Sequence, residues 1–238
     1  MSVIDTYGPQ SLGDVIIPNQ RTKKILTQIG LGNLNTHVLM HGPSGTGKST
    51  IARMVTDEIC TRNNVKVEQD YNLVLSQKNI WAYIANELHG LTMYEGTPMY
   101  IMWFDELDRC KQSLDIFWNV LDRFKKTDVM LIATTNHLHK IPVPLQSRCQ
   151  VQNIPSLTVQ DFLPHALDVL QQEGIHLQVQ YVVDCLNIVK HFGDFRKYCG
   201  QLDQIILDNM LGDIPAHVYA PVPAPPPPIV TPVVATVP

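Results

Sequence analysis

Residues 42–49 read Gly42, Pro43, Ser44, Gly45, Thr46, Gly47, Lys48 and Ser49, which fits G-x-x-x-x-G-K-[ST] at every fixed position. Each fixed residue has a chemical reason. Glycines let the backbone turn tightly so that N–H groups converge on phosphate oxygens, and a side chain there would block the approach. Lys48 supplies a point charge for β- and γ-phosphates, and the Ser49 hydroxyl is a Mg²⁺ ligand. Val38-Leu39-Met40 just before the loop reads as a buried strand. Just after it, Ile51, Met54, Val55 and Ile59 share one face of a helix that starts near Thr50. The positive end of that helix dipole would face a triphosphate.

A second group of chemically capable residues follows an unbroken apolar run, Met99-Tyr100-Ile101-Met102-Trp103-Phe104. That run predicts a central parallel strand covered on both faces, and it ends in Asp105-Glu106. Open α/β sheets place ligand chemistry at the carboxyl ends of such strands. Beside a phosphate loop, the first acid is placed to hold Mg²⁺ and the second to orient and polarise an attacking water. Another apolar run, Val129 to Thr134, ends in Thr135-Asn136. Asn136 is either a polar amide beside the γ-phosphate or a turn former.

The remaining pattern supplies the elements that position these groups. A helix is predicted from Asn19 to Ile29, a short strand at Val65-Lys66-Val67 and a helix from Ser76 to His89. A further helix is predicted from Gln112 to Phe124, and a last strand near Gln150–Ile154. From Pro155 onward the periodicity is helical only. Thr158 with Asp161 resembles a capping box opening a helix to Glu173 that stops at Gly174. Tyr181 to His191 is a second helix closed by Gly193, and Asp194 caps a third that runs to about Met210. The organisation predicted is an α/β nucleotide-binding domain over 1–154, a helical domain over 155–213 and a Pro-rich tail over 214–238, read as a disordered linker. The apolar stretch before the loop, with Tyr7, Pro9, Val15, Ile16 and Ile17, has two readings: a wall against an adenine ring, or ordinary packing.

Bulk properties bound the function. With 238 residues and 45% hydrophobic residues, the chain can bury a large core. A formal net charge of −4 does not advertise nucleic-acid binding, so any DNA contact needs a local basic face or neighbouring subunits. The five cysteines are scattered without C-x-x-C, which suits a reducing cytosol and predicts neither a disulfide framework nor a zinc site. The N-terminus lacks the features of a signal peptide, and no apolar run approaches the ~18 residues of a membrane span. A cytoplasmic location is expected, in a nucleoid or a phage-infected host.

Taken together, these motifs resemble the AAA+ ATPases, and among them the small subunits of sliding-clamp loaders (replication factor C and its relatives), over roughly residues 5–212. Tyr7-Gly8-Pro9, Leu12 and Asp14-Val15 resemble the clamp-loader opening, with Gly8 where the family has arginine. Phe104-Asp105-Glu106-Leu107-Asp108 resembles the Walker B motif, with Leu107 in place of alanine, and Asn136 falls at the sensor 1 position. Ser147-Arg148-Cys149 reproduces the Ser-Arg-Cys motif, whose arginine reaches the ATP of a neighbouring subunit, and Gly193-Asp194-Phe195-Arg196 resembles sensor 2. Each arginine also has a plain structural reading: Arg148 as the partner of a surface acid, Arg196 as a charged helix residue.

The resemblance implies a P-loop NTPase fold with a five-stranded parallel sheet in the order 5-1-4-3-2, plus an all-α lid. It implies ATP and Mg²⁺ as cofactors, held by the loop residues, by Ser49 and Asp105 for the metal, and by Tyr7, Pro9, Val15, Ile16 and Ile17 around the base. Lys48, Glu106, Asn136, Arg148 and Arg196 are the implied catalytic set, with Arg148 acting in trans within a homo- or hetero-oligomer on DNA. Gln77, Ile80, Tyr83 and Ile84 approximate a clamp-binding motif within helix 76–89, although an amphipathic core helix explains the same residues. A collar domain like that of clamp loaders does not follow the lid. Two other functions fit the same motifs: a different DNA-associated AAA+ remodeller, or a non-hydrolysing ATP-binding scaffold.

Overall fold

The computed structural model describes residues 2–63, 68–70, 82, 84–86, 88, 89, 99–110, 113, 114, 117–125 and 128–221. Its centre is a parallel sheet of β1 (His37–His41), β2 (Glu68–Asp70), β3 (Tyr100–Phe104), β4 (Val129–Thr135) and β5 (Cys149–Asn153). The spatial order is β2-β3-β4-β1-β5, the order expected. The apolar runs become the inner strands because both of their faces are covered: every residue of β3 and β4 is buried. β1 pairs with β4 through Val38–Ile132 to His41–Thr135, which brings the end of β4 beside the loop that follows β1. The predicted strand at Val65–Val67 lies outside the described residues.

Helices cover both faces. α1 (Val3–Thr6), α2 (Gln20–Gly30) and α3 (Lys48–Asn63) precede the middle strands, and α4 (Phe117–Leu121) and α5 (Val143–Gln146) precede β5. Asn19 caps α2 by accepting from the Arg21 and Thr22 amides. On one face of the sheet, Leu26, Ile29, Ile51 and Val55 pack on Val38, Met40, Ile101 and Ile132. On the other, Ile84, Leu88, Phe117 and Leu121 pack on Leu39, Met102, Phe104 and Leu131.

Two expectations change here. α4 is much shorter than the predicted span from Gln112 to Phe124, because the chain turns at Asp122-Arg123 instead of continuing the helix. Ile84 is fully buried in the core, so it cannot be a surface anchor for a clamp. Gln77, Ile80 and Tyr83 lie outside the described residues.

The helical segment comprises α6 (Val159–Gln172), α7 (Val179–Asn187) and α8 (Phe195–Leu211). Thr158 and Asp161 form the expected capping box, and Asp194 caps α8 through the Arg196 amide. Phe162, Leu170, Val182, Leu186, Tyr198 and Leu202 form its core. That core extends beyond the predicted limits. Ile214 and Val218 are buried in it, and Ala220 N–H donates to His176 O (2.9 Å), so ordered structure continues past 213. Val3 also packs in it, and the Val3 amide and Ser2 hydroxyl donate to Asp203 at 2.7 and 3.0 Å. The first residues therefore side with the helices rather than with the α/β part.

Candidate nucleotide site

The loop after β1 and the start of α3 form the floor of a cleft of about 1250 Å³. Ser44 to Thr50 line it, with Asp105, Glu106, Thr134 and Asn136 from the ends of β3 and β4. Ile4, Tyr7, Pro9, Val15 and Ile16 form one wall, and Leu157, His165, Phe195 and Arg196 belong to the wall from the helical segment. The sequence thus places all of the loop from Ser44 onward, both acids and Asn136 at one site. Gly42 and Pro43 lie behind it, where the Pro43 carbonyl accepts from Thr46 Oγ1 (3.0 Å) and Lys48 Nζ (2.6 Å). Ile17 is a correction. It is buried with Val38 and Ile51 under the sheet and does not reach the cleft.

The loop geometry is that of an anion cradle. Gly47 holds φ at +82°, a left-handed conformation that L side chains resist, and the space a Cβ would occupy is empty. Gly45 (φ +80°) is needed for a different reason, since a Cβ there would collide with the Asp194 carboxylate. Phe195 N–H donates to Gly45 O at 3.0 Å, which joins α8 directly to the loop. Burial lowers the pKa of Lys48, opposed by Asp105, Glu106 and Asp108. A polyanion in the cradle would supply the counter-charge that this buried ammonium favours.

The acids are tightly organised. Asp105 Oδ1 accepts from Ser49 Oγ and Thr134 Oγ1, each at 2.6 Å. Two hard oxygens side by side suit Mg²⁺, which takes one or two protein ligands and completes its shell with water and phosphate. Among the described residues no group of three or more His, Cys, Asp or Glu could form an all-protein metal cage, which agrees with that kind of site. Glu106 sits at φ +52°, a non-glycine residue in the left-handed region that costs roughly 1–3 kcal/mol and tends to mark functional positions. Its backbone N–H donates to Thr134 Oγ1 at 2.9 Å. One carboxylate oxygen accepts from Asn136 Nδ2 at 3.0 Å, and the other pairs with Arg109 Nε at 2.6 Å. Both oxygens of the acid best placed to polarise water are therefore engaged within the chain.

Thr134 and Arg109 were not singled out in the sequence. Thr134 could have been, since on a strand it shares a face with Asn136 two residues on. Arg109 is three residues beyond Glu106, and a 3-10 turn at Leu107–Arg109 brings the two together.

Asp108 braces the end of β4. It accepts from Thr135 Oγ1 (2.7 Å) and the Asn136 amide (3.2 Å), and it pairs with His137 Nδ1 (2.8 Å). Burial pushes its carboxyl up, but bonds from Thr135, His137 and the Asn136 backbone outweigh burial and hold it low. A carboxyl held low in the folded chain stabilises it above the unfolded-chain pKa, and that stability is lost as pH falls through the folded value. Asp108→Ala is therefore expected to lower unfolding free energy by about 1–3 kcal/mol at neutral pH. In urea titrations at stepped pH, the gap should close as pH falls below the ordinary carboxyl value of 3.8.

The arginines lie in different places. Arg196 lines the cleft, with its side chain 64% exposed and only a 3.5 Å contact to Asp194. Arg148 lies away from the cleft. It makes a two-pronged bond to Asp122 (2.7 and 2.6 Å), donates to Pro144 O (2.7 Å) and covers the Trp118 ring at 4.6 Å. The hydrogen bond from Asp122 also raises its pKa. The surface-acid partner is thus present within the chain.

A parallel sheet in this order, with a phosphate loop after β1 and paired acids after β3, defines a P-loop NTPase of the AAA type. Residues 38–156 match the family described as "ATPase family associated with various cellular activities (AAA)", and the chain belongs to it. It is similar to the sliding-clamp-loader large subunit of Escherichia phage RB69, with 27% identity over 208 residues, covering 83% of this chain and 62% of that protein. Likeness to the same subunit of Enterobacteria phage T4 is also 27%, over 83% of this chain and 62% of that one. The replication factor C small subunit of Methanocella arvoryzae is 24% identical, covering 81% of this chain and 59% of that one. The chain thus spans about three fifths of the length of these relatives. In fold it is similar to the Thermotoga maritima RuvB Holliday junction branch migration motor, at a TM-score of 0.61 and 18% identity, over 86% of this chain and 67% of that one. Among the described residues, no helix is long and apolar enough to cross a membrane.

Proposed function

We propose that this chain is a Mg²⁺-dependent ATPase of the clamp-loader kind, working as an oligomer on DNA in replication or repair. The observation that carries this reading is the convergence of Lys48, Ser49, Asp105, Glu106 and Asn136 on one cleft. In it, Lys48 leaves the Pro43 carbonyl and, with the loop amides, binds the β- and γ-phosphates. Ser49 and Asp105 hold the metal, with Thr134 orienting the carboxylate. When bound, Mg²⁺ neutralises charge on the transferring phosphoryl group. Glu106 exchanges Arg109 for a water molecule, which it orients and polarises, while Asn136 fixes the other carboxylate oxygen. Arg196 reaches the γ-phosphate from the helical wall. Arg148, on another face, completes the site of a neighbouring subunit, and a sliding clamp is the expected partner.

DNA is reached through the assembly, because the net charge of −4 gives a single chain little attraction for it. The test is ATP turnover by the wild-type chain across a range of protein concentrations, with and without primed DNA. Specific activity should rise with concentration and rise further with DNA. A slow rate indifferent to both would overturn the proposal that this chain alone forms a DNA-coupled motor. The likeness in fold to RuvB favours one second reading, a DNA remodeller of another kind. Stimulation by branched rather than primed DNA would select it.

A further inference from the structure

One side chain in the cleft has no role in the chemistry above. His165, on α6, packs edge-on to Phe162 (ring centroids 5.4 Å apart) and tilted against Phe195 (6.1 Å). Its Nε2 is shut off from solvent and has no hydrogen-bond partner. Among the described residues, the only other side-chain polar atom in that state is Trp103 Nε1, which belongs to β3 and does not line the cleft. A buried polar atom without a partner is unfavourable, and at a cleft it marks a place where a ligand atom belongs. Burial lowers the His165 pKa against the opposing pull of Asp168, so the ring is neutral at physiological pH.

The surroundings define what that ligand atom belongs to. His165, Asp168, Val169 and Gln172 all line the cleft and share one face of α6. Gln172 Nε2 donates to Asp168 Oδ2 at 2.8 Å, which keeps those two side chains occupied with each other. The opposite wall is the apolar strip of Tyr7, Val15 and Ile16, and Tyr7 OH donates to Glu173 at 2.6 Å, tying that wall to the end of α6. A neutral imidazole set between aromatic rings is a poor partner for phosphate. It suits the edge of a flat heterocycle held between the two walls.

We propose that His165 is a specificity-determining residue whose Nε2 lone pair accepts a hydrogen bond from the 6-amino group of adenine. This rests on the nucleotide reading above and deepens it. Guanine presents a carbonyl oxygen at the same position and would set two acceptors against each other. Adenine is therefore favoured.

The test is equilibrium binding, without turnover, of four probes to the full chain: ATP, GTP, purine riboside triphosphate (which lacks the 6-amino group) and inorganic tripolyphosphate. His165→Phe keeps the ring packing and removes the nitrogen. It should weaken ATP about tenfold, narrow the ATP-over-GTP preference, and leave purine riboside triphosphate and tripolyphosphate unchanged. His165→Gln, which restores a hydrogen-bonding group, should recover part of the ATP affinity, and melting curves of both variants establish that they fold. An unchanged ATP affinity in His165→Phe, or an equal loss for all four probes in a folded variant, would overturn the proposal. If wild-type chain bound none of the four, the nucleotide reading itself would fall. Tripolyphosphate binding without base discrimination would overturn only the role of His165.

Discussion

Glu106→Gln is expected to cut ATP turnover about 10²–10⁴-fold while Mg·ATP stays bound. The amide keeps the size of the side chain and leaves Ser49, Asp105 and Lys48 in place, so the ligands for phosphate and metal are unaltered. It removes the negative charge that lets this position polarise water. It also removes the charge that Arg109 pairs with at 2.6 Å. Single-turnover hydrolysis and a fluorescent-nucleotide binding assay, run on the same preparation, separate the two effects. A variant that hydrolyses as slowly as wild type, with wild type itself near the background rate, would instead identify a nucleotide-binding scaffold.

Arg148→Ala carries the second large effect. Arginine fingers contribute roughly 10³–10⁵-fold in rate where they act. The variant should therefore lose the rise of specific activity with protein concentration almost entirely. In the single chain Arg148 is held by Asp122, Pro144 and Trp118, so subunit contact has to draw it off the Asp122 carboxylate. That exchange is electrostatically reasonable, because a triphosphate offers more negative charge than one carboxylate. The arginine is then latent in a monomer and productive only beside a neighbour. Turnover measured against concentration, for wild type and variant together, is the check.

Much of the site was legible because its signals are continuous in sequence. The phosphate loop is one unbroken stretch, and the apolar runs that end in Asp105-Glu106 and Asn136 announce buried strands with polar tips. Cooperation between those tips was harder to see. That Thr134 bridges Asp105 and the Glu106 amide depends on β3 and β4 lying side by side in a set register, Phe104 opposite Ala133.

Contacts distant along the chain left little trace. Val3 N–H meets Asp203 across 200 positions, so nothing local shows that the first residues dock on α8. Ile214 and Val218 were read with the tail because Pro215 and the proline run beyond break the periodicity, yet burial in the helical core decides their place. Ile17 shows the opposite error. An apolar residue next to a predicted base wall is more readily satisfied under the sheet, and packing with Val38 and Ile51 placed it there. His165 carried no motif at all. Its interest comes from one unpartnered nitrogen facing a cleft, which a sequence does not display.

The most direct measurement mixes two variants that are each inactive for a different reason. Lys48→Ala cannot bind the triphosphate but still presents Arg148, while Arg148→Ala retains a complete cleft and lacks the finger. Held at a constant total concentration and titrated against each other, the two should recover turnover at intermediate ratios, because a Lys48→Ala neighbour supplies the missing arginine. Activity that stays at the floor at every ratio, in samples shown by sedimentation to form mixed oligomers, would contradict a site completed between subunits.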